Sequence, residues 1–519
     1  MQITEMLARN ARMYGDEIAL VEREPAAGGR SEITWDRFYR QANQLAHYLQ
    51  SINIEKGDRV IQLMMNCLDW LPVYFGILRA GAVAVPLNFR FQTNDIMHCN
   101  DLAEARVIIF GEEFIARIEA GKTDFDRTIQ TYIFVGEKSR KPDWALWYPD
   151  LLAGRLETEP PVDIDLTDGA GIYFTSGTTG RPKGVFLRHR HLEFAAYLEN
   201  RHHNQVHGDN FLCIPPLYHT GAKMHWFGNL VVGARAVILK GVSPKAILEA
   251  VSEEGVTIVW LLVPWAHDIL VAIENREINP VDYHLDQWRL MHIGAQPVPP
   301  SLVEKWKAVF PHHAYDTNYG LTESTGPGCV HLGMENYHKV GAIGIPGFDW
   351  ECRIVDGDGQ NLRPGRPGEL LVRGPGVMVE YYRNPRETAD ALAGGWLHTG
   401  DIARMDEDGF IWLVDRKKDI IITGGENIYP VEVEHFLMAH PKIYDAGVIG
   451  VPDSRLGEIV AAVVAPKPGH DLSEDEIRRF CEELPRYKRP RLIFFGSVPR
   501  NPTGKIEKPK LRQRYASTR

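Results

Sequence analysis

The sequence predicts an α/β protein. It reads as a large N-terminal domain of layered α/β subdomains with a small β-rich subdomain, followed by a small mobile α+β C-terminal domain. Three observations carry this. Over the first 350 residues, short apolar runs of strand type alternate with helical patterns, as in largely parallel sheets layered with helices. Near residue 350 the texture turns to short segments broken by Asp-Gly, Pro and Gly. After residue 417 a short α+β unit follows, at about a hundred residues large enough to be a domain. The expected boundaries are 1–417 for the N-terminal domain, with its β-rich part at about 340–417, and 418–519 for the C-terminal domain.

In chain order, "WDRFYRQANQLAHYLQSI" sets Trp35, Phe38, Ala42, Leu45, Leu49 and Ile52 on one helical face. "RVIQLM", "AVAVPL", "RVIIFG", "TYIFVG", "AGIYF" and "RAVILK" are short buried strands between helical stretches. The most apolar run, "VTIVWLLVPWA", is too short to span a bilayer and contains Pro264, so it belongs to the core. "ECRIVDGDGQNLRPGRPGELLVRG" is strand, Asp-Gly turn, strand. Lys417-Lys418-Asp419 forms the junction between domains. Ser473 and Glu476 make a capping box for a helix through Glu483, and "PRLIFFG" is a further strand.

The chain of 519 residues is ordinary for a globular protein, with 44% hydrophobic and 24% charged residues. Its net charge of −10 disfavours general nucleic-acid binding. Six scattered cysteines without a CxxC pair argue for reduced thiols in a cytoplasmic setting and against a zinc site. The start "MQITEMLARNARMYGDE" has no apolar core of a signal peptide, and no membrane span is expected. From Arg486 onward, eleven Lys/Arg face a single acid, Glu507. This basic tail is either a solvated face or a surface that meets phosphates.

The stretch "IYFTSGTTGRPKGV" runs a strand directly into Thr175, Ser176, Gly177, Thr178, Thr179 and Gly180, then reaches Lys183. Hydroxyls, exposed backbone N–H groups and an ammonium suit an anion, and a phosphate chain is the expected guest. The spacing is not that of a P-loop, because Arg181 and Pro182 separate Gly180 from Lys183.

"YFTSGTTGRPKGV", "YGLTES" (319–324), "WLHTGD" (396–401), "DRKKDIIITGGENIYP" (415–430) and "NPTGK" (501–505) occur in that order. Together they resemble, over nearly the whole chain, the adenylate-forming superfamily of acyl-CoA synthetases, peptide-synthetase adenylation domains and beetle luciferases. The resemblance implies an ATP- and Mg²⁺-dependent acid:CoA ligase acting through an acyl-AMP. It implies that Thr175–Lys183 grips the β- and γ-phosphates, that Tyr319 stacks on adenine, and that Gly294, Ala295 and Gly320 lie beside the nucleotide. Thr322 would bond the α-phosphate and Glu323 would hold Mg²⁺. Asp401 and Arg416 would bind the ribose. Lys505 would bridge the acid carboxylate and the α-phosphate, offsetting the repulsion of two approaching anions. Lys418 would be the hinge. After rotation Gly424, Gly425 and Glu426 would line the thiol's path.

"PPLYHTGAKMHW" (215–226) resembles the superfamily's acid-side motif, with His219 as the gating aromatic. The expected pocket also draws on Tyr218, Lys223, Trp226 and Gly294, with Lys223 either meeting a polar group or pointing to solvent. Tyr218-His219 stand where amino-acid-activating domains carry an Asp, which disfavours an α-amino acid. The expected acid is a hydrophobic monocarboxylate: medium-chain, aromatic or alicyclic. Lys223 stands where many long-chain enzymes have a gating Trp, which argues against a very long chain. The acyl acceptor is CoA or, in the alternative reading, a carrier protein. Relatives are commonly dimers, so a homodimer is one option.

Overall fold

The structure, a computed structural model, describes residues 1–175, 182–424, 426–501 and 504–516, with the side chain of Pro327 outside the description. Among the described residues two large sheets build the N-terminal region. One has the strand order Ala314–Asp316, Leu290–Gly294, Ile258–Leu262, Asn210–Cys213, Arg235–Leu239, Ile18–Glu24, Gly29–Thr34. It is parallel except for the last strand, which closes an antiparallel pair. The other runs Glu380–Tyr381, Lys183–Arg188, Gly169–Thr175, Val83–Pro86, Arg59–Leu63, Val107–Gly111, Thr131–Val135, Leu146–Trp147. The expected strands appear, and the parallel ones are buried along nearly their whole length, Val107–Gly111 completely. Burial on both faces is why these runs are continuously apolar instead of alternating.

The expected amphipathic helix spans Trp35–Ser51, capped by the Thr34 hydroxyl, which accepts from Arg37 N–H at 3.3 Å. The run "VTIVWLLVPWA" divides into strand Ile258–Leu262 and helix Val263–Glu274, with Pro264 in the first turn, where no N–H partner is lost.

A four-stranded antiparallel sheet follows: Glu351–Val355, Gly368–Arg373, Leu397–Met405, Ile411–Arg416. A turn over 417–419 leads to the C-terminal sheet of Glu426–Ile428, Ile421–Thr423, Gly457–Pro466, Ile443–Asp453 and Leu492–Phe495. Helices Pro430–Met438, Glu474–Phe480 and Lys508–Tyr515 accompany it. The Ser473 hydroxyl caps the second of these, as expected from the sequence. No described helix is long and apolar enough to cross a membrane.

The two regions touch through a few specific contacts. Arg500 forms a fork onto Asp445 (2.9 and 2.6 Å), while another of its nitrogens donates to Gln296 Oε1 at 2.9 Å and to the Gly504 carbonyl at 2.5 Å. Arg90 donates to the Arg500 carbonyl, and Tyr444 donates to Asp268. Gly504 (φ +80°) lies so near the start of helix Val263–Glu274 that a Cβ there would sit 3.3 Å from Pro264.

Candidate active site

The nucleotide side is built by strand register. Asp401 and Arg416 are direct partners across neighbouring antiparallel strands, and their side chains pair at 2.6 Å. Gly400, at φ +69°, supplies the left-handed residue just before Asp401, a conformation that favours glycine. The other Asp401 oxygen accepts from the Tyr319 hydroxyl at 2.5 Å. Burial first, and this carboxylate second, push the Tyr319 phenol well above its ordinary pKa, so it remains a donor. Strand Asn318–Leu321 breaks register with its partner between Tyr319 and Leu321, leaving Gly320 at the irregularity. The turn Thr322–Ser324 follows directly, so Thr322 and Glu323 leave the sheet beside Tyr319.

Glu323 accepts from the Tyr381 hydroxyl at 2.8 Å through Oε1. A carboxylate with one oxygen held and the other available suits a hard divalent ion such as Mg²⁺. Tyr381 sits on an edge strand that pairs with Val185 and Phe186. This brings Glu323 towards Lys183, whose Nζ pairs with Glu387 and lies 5.2 Å from the Tyr381 ring centroid. Thr175 and Lys183 are the last pair of an antiparallel hairpin. The hydroxyl-rich segment therefore connects two antiparallel strands, whereas a P-loop connects a strand to a helix. Ser176, Gly177, Thr178, Thr179 and Gly180 lie outside the described residues.

Lys505 enters from the C-terminal region, held to Asn501 by two hydrogen bonds: its N–H donates to Asn501 Oδ1 and the Asn501 N–H donates to the Lys505 carbonyl, both at 2.9 Å. Lys505 keeps exposed surface, yet it is deeply surrounded by protein. That environment lowers its pKa to about 8; Arg416 adds to the fall, while Asp401 and Glu323 oppose it. The same field reaches His219, whose pKa drops to about 3 through burial, then Lys505 and Lys223. His219 is therefore a neutral imidazole at pH 7, and its ring lies 4.2 Å from that of Tyr218. Gly294 ends its strand next to Trp260, and Ala295 follows with a left-handed φ of +67°. Such strain at a non-glycine residue is a mark of functional loops.

Two sequence expectations are corrected. Lys223 neither points to solvent nor offers surface to an acid. It is wholly buried, with its Nζ 4.5–5.5 Å from the ring centroids of Tyr173, Tyr74 and Trp70, and it donates to the Leu217 carbonyl at 3.3 Å. Burial drives its pKa well below the ordinary lysine value. Trp226 likewise has no exposed surface, because its ring packs in the core against Phe38, Phe75 and Phe227.

Lys418 is exposed in the turn between the two sheets. Beyond it, Asp419 pairs with Arg512 at 2.8 Å. Gly424 (φ +57°) and Glu426 are exposed on the hairpin Ile421–Ile428, and Gly425 lies outside the described residues. Tyr381, Glu387 and Arg500 escape a sequence reading. None lies in a motif of its own, and each acts through partners far away in the chain.

The chain matches the "AMP-binding enzyme" family over residues 7–382 and the "AMP-binding enzyme C-terminal domain" over residues 432–505. It is 34% identical over 495 residues to the feruloyl-CoA synthase of an Amycolatopsis species, covering 94% of this chain and 95% of that protein. It is 31% identical over 497 residues to the fatty acid–[acyl-carrier-protein] ligase ScoC of Streptomyces coeruleorubidus, covering 93% and 92%. The crystal structure of the anthranilate CoA ligase AuaEII in complex with anthranoyl-AMP superposes with a TM-score of 0.90 at 25% identity, covering 99% of this chain and 97% of that one.

Proposed function

The chain belongs to the AMP-binding enzyme family, and from that premise we propose that it is an ATP- and Mg²⁺-dependent acid:CoA ligase. The acid would be a hydrophobic monocarboxylate of aromatic, alicyclic or medium-chain type. The single observation that carries the reading is the placement of the Lys505 ammonium. It lies within electrostatic reach of Arg416, Asp401 and Glu323, and its own charge is felt at His219.

In the first half-reaction a carboxylate oxygen attacks the α-phosphorus of ATP, pyrophosphate leaves, and an acyl-AMP mixed anhydride forms. Lys505 offsets the charge of the two anions as they meet, and Thr322 bonds the α-phosphate. Asp401 and Arg416 hold the ribose, and Tyr319 presents its ring to the base. Mg²⁺, held by Glu323, would neutralise phosphate charge. In the second half-reaction a thiolate attacks the acyl carbon and AMP leaves. Rotation about Lys418 would withdraw Lys505 and present Gly424, Gly425 and Glu426 to the thiol.

The similarity to ScoC gives a second reading, in which the acyl group passes to a carrier protein. One assay separates the two. The enzyme is given ATP, Mg²⁺ and a panel of about twenty acids, and pyrophosphate, AMP and thioester are followed with CoA or with a pantetheinylated carrier protein. AMP release with CoA is expected. Turnover with the carrier alone selects the second reading, and ADP as the product refutes both.

A further inference from the structure

Beneath the acid side lies a cluster of imidazoles and carboxylates that the adenylation chemistry does not use. His203 ends helix His189–His203, His292 lies on strand Leu290–Gly294, and Asp316 ends strand Ala314–Asp316. All three are at most 1% exposed. One ligand atom from each lies within 4.8 Å of the other two.

The hydrogen bonds around the cluster fix its tautomers. His225 Nδ1 lies 2.6 Å from the Gly221 carbonyl, so it carries the proton and His225 Nε2 is an acceptor. That acceptor faces the Asn318 amide at 3.2 Å and His292 Nε2 at 3.1 Å. His292 therefore donates from Nε2, and its Nδ1 is a bare lone pair. This buried atom has no hydrogen-bond partner, and it faces Asp316 Oδ2 at 3.9 Å. Asp316 Oδ1 is held by the N–H groups of Thr317 and Gly333 at 2.8 and 2.9 Å, which turns Oδ2 inward. His203 Nε2 approaches that same Oδ2 at 3.0 Å, while its Nδ1 faces Glu199 at 3.5 Å. With His203 Nε2 as the donor to Asp316 Oδ2, and with His331 Nδ1 also 3.7 Å from that oxygen, the contact left without a proton is the one between His292 Nδ1 and Asp316 Oδ2, two buried lone pairs that face each other.

We propose that His203 Nε2, His292 Nδ1 and Asp316 Oδ2 bind a zinc-class divalent ion, separate from the Mg²⁺ that accompanies ATP. Two imidazoles and one carboxylate are borderline ligands suited to such an ion. Ligand bonds of ~2.0–2.2 Å in a tetrahedral site place ligand atoms about 3.4 Å apart. The separations from Asp316 Oδ2 given above bracket that value. The surroundings fit as well, since Glu199 and His225 stand opposite the outer nitrogens of the two histidines, where metal-bound imidazoles find their partners. The ion would clip one helix end to two strands, one of which ends at Gly294, while the other precedes Tyr319 by three residues.

The test uses the tag-free full-length chain without ATP. It is stripped with a chelator, then titrated with Co²⁺ and separately loaded with Zn²⁺. About one Co²⁺ per chain, visible bands of low coordination number and a thermal transition raised by Zn²⁺ are expected. Asp316→Asn, checked for native circular dichroism, should lose at least about tenfold in Co²⁺ affinity. X-ray absorption of the Zn²⁺-loaded wild type should show two imidazoles, and this decides alone if the variant does not fold. Substoichiometric binding, an all-oxygen coordination shell or an unchanged Asp316→Asn would overturn the proposal and leave the cluster as a proton-bridged network.

Discussion

The lowered pKa of Lys505 makes a quantitative prediction for the first half-reaction. The bridging role requires the ammonium, and its value of about 8 means that the proton is lost just above neutrality. In the free enzyme the charged fraction falls from about nine-tenths at pH 7 to about one-tenth at pH 9, so kcat/KM for the acid in ATP–pyrophosphate exchange should fall close to tenfold per pH step above 8. The limb for kcat should lie at higher pH, because bound acid and triphosphate favour the charged form. His219 cannot supply this limb, since its value of about 3 leaves it neutral throughout the range. Lys505→Ala should lose on the order of 10²–10³ in exchange rate, and its residual activity should be flat across the same range. Thioester formation from supplied acyl-AMP should remain near wild type. A wild-type kcat/KM that stays level to pH 9.5, or a limb that persists in Lys505→Ala, would refute the assignment.

Three other perturbations follow from the geometry. Arg500→Ala removes the fork on Asp445 and the bond to Gln296; it should slow adenylation on the order of tenfold while sparing thioester formation from acyl-AMP, and equal losses in both steps would sink the clamp. Tyr381→Phe frees Glu323 from its hydrogen bond, so the Mg²⁺ concentration for half-maximal exchange should shift several-fold while saturating Mg²⁺ restores kcat; an unchanged Mg²⁺ curve contradicts it. Lys223→Met replaces a buried amine with an apolar chain of similar length, and the thermal midpoint at pH 7 should rise by ~2–4 °C. The sign follows from linkage: the native pKa lies below the unfolded value of 10.5, so the unfolded chain binds more protons and wild-type stability climbs with pH up to that value. The Met variant should lack that slope in calorimetric scans.

Much of the fold was legible because its parallel strands are short unbroken apolar runs, and each such run can be recognised locally. The motif residues were legible for the same reason. Asp401 sits in a contiguous "HTGD" and Arg416 in a contiguous "DRKKD", and sheet register then sets them face to face. Lys223 could not be placed from its local sequence, because its surroundings come from Trp70, Tyr74 and Tyr173, far away in sequence. Trp226 suggests a pocket wall as readily as a core ring; only the packing of helix Thr220–Val232 against Phe38 and Phe75 decides. The His203–His292–Asp316 cluster has no spacing signature, since its members meet only after three elements assemble.

The Lys183–Glu387 pair has a consequence for turnover. A triphosphate that takes the Lys183 charge must first evict Glu387, so what it gains is only the difference between two anionic partners. That exchange weakens retention as much as capture. In the proposed reaction Glu387 would retake Lys183 as pyrophosphate departs, a resident competitor that would favour clearance of the leaving group.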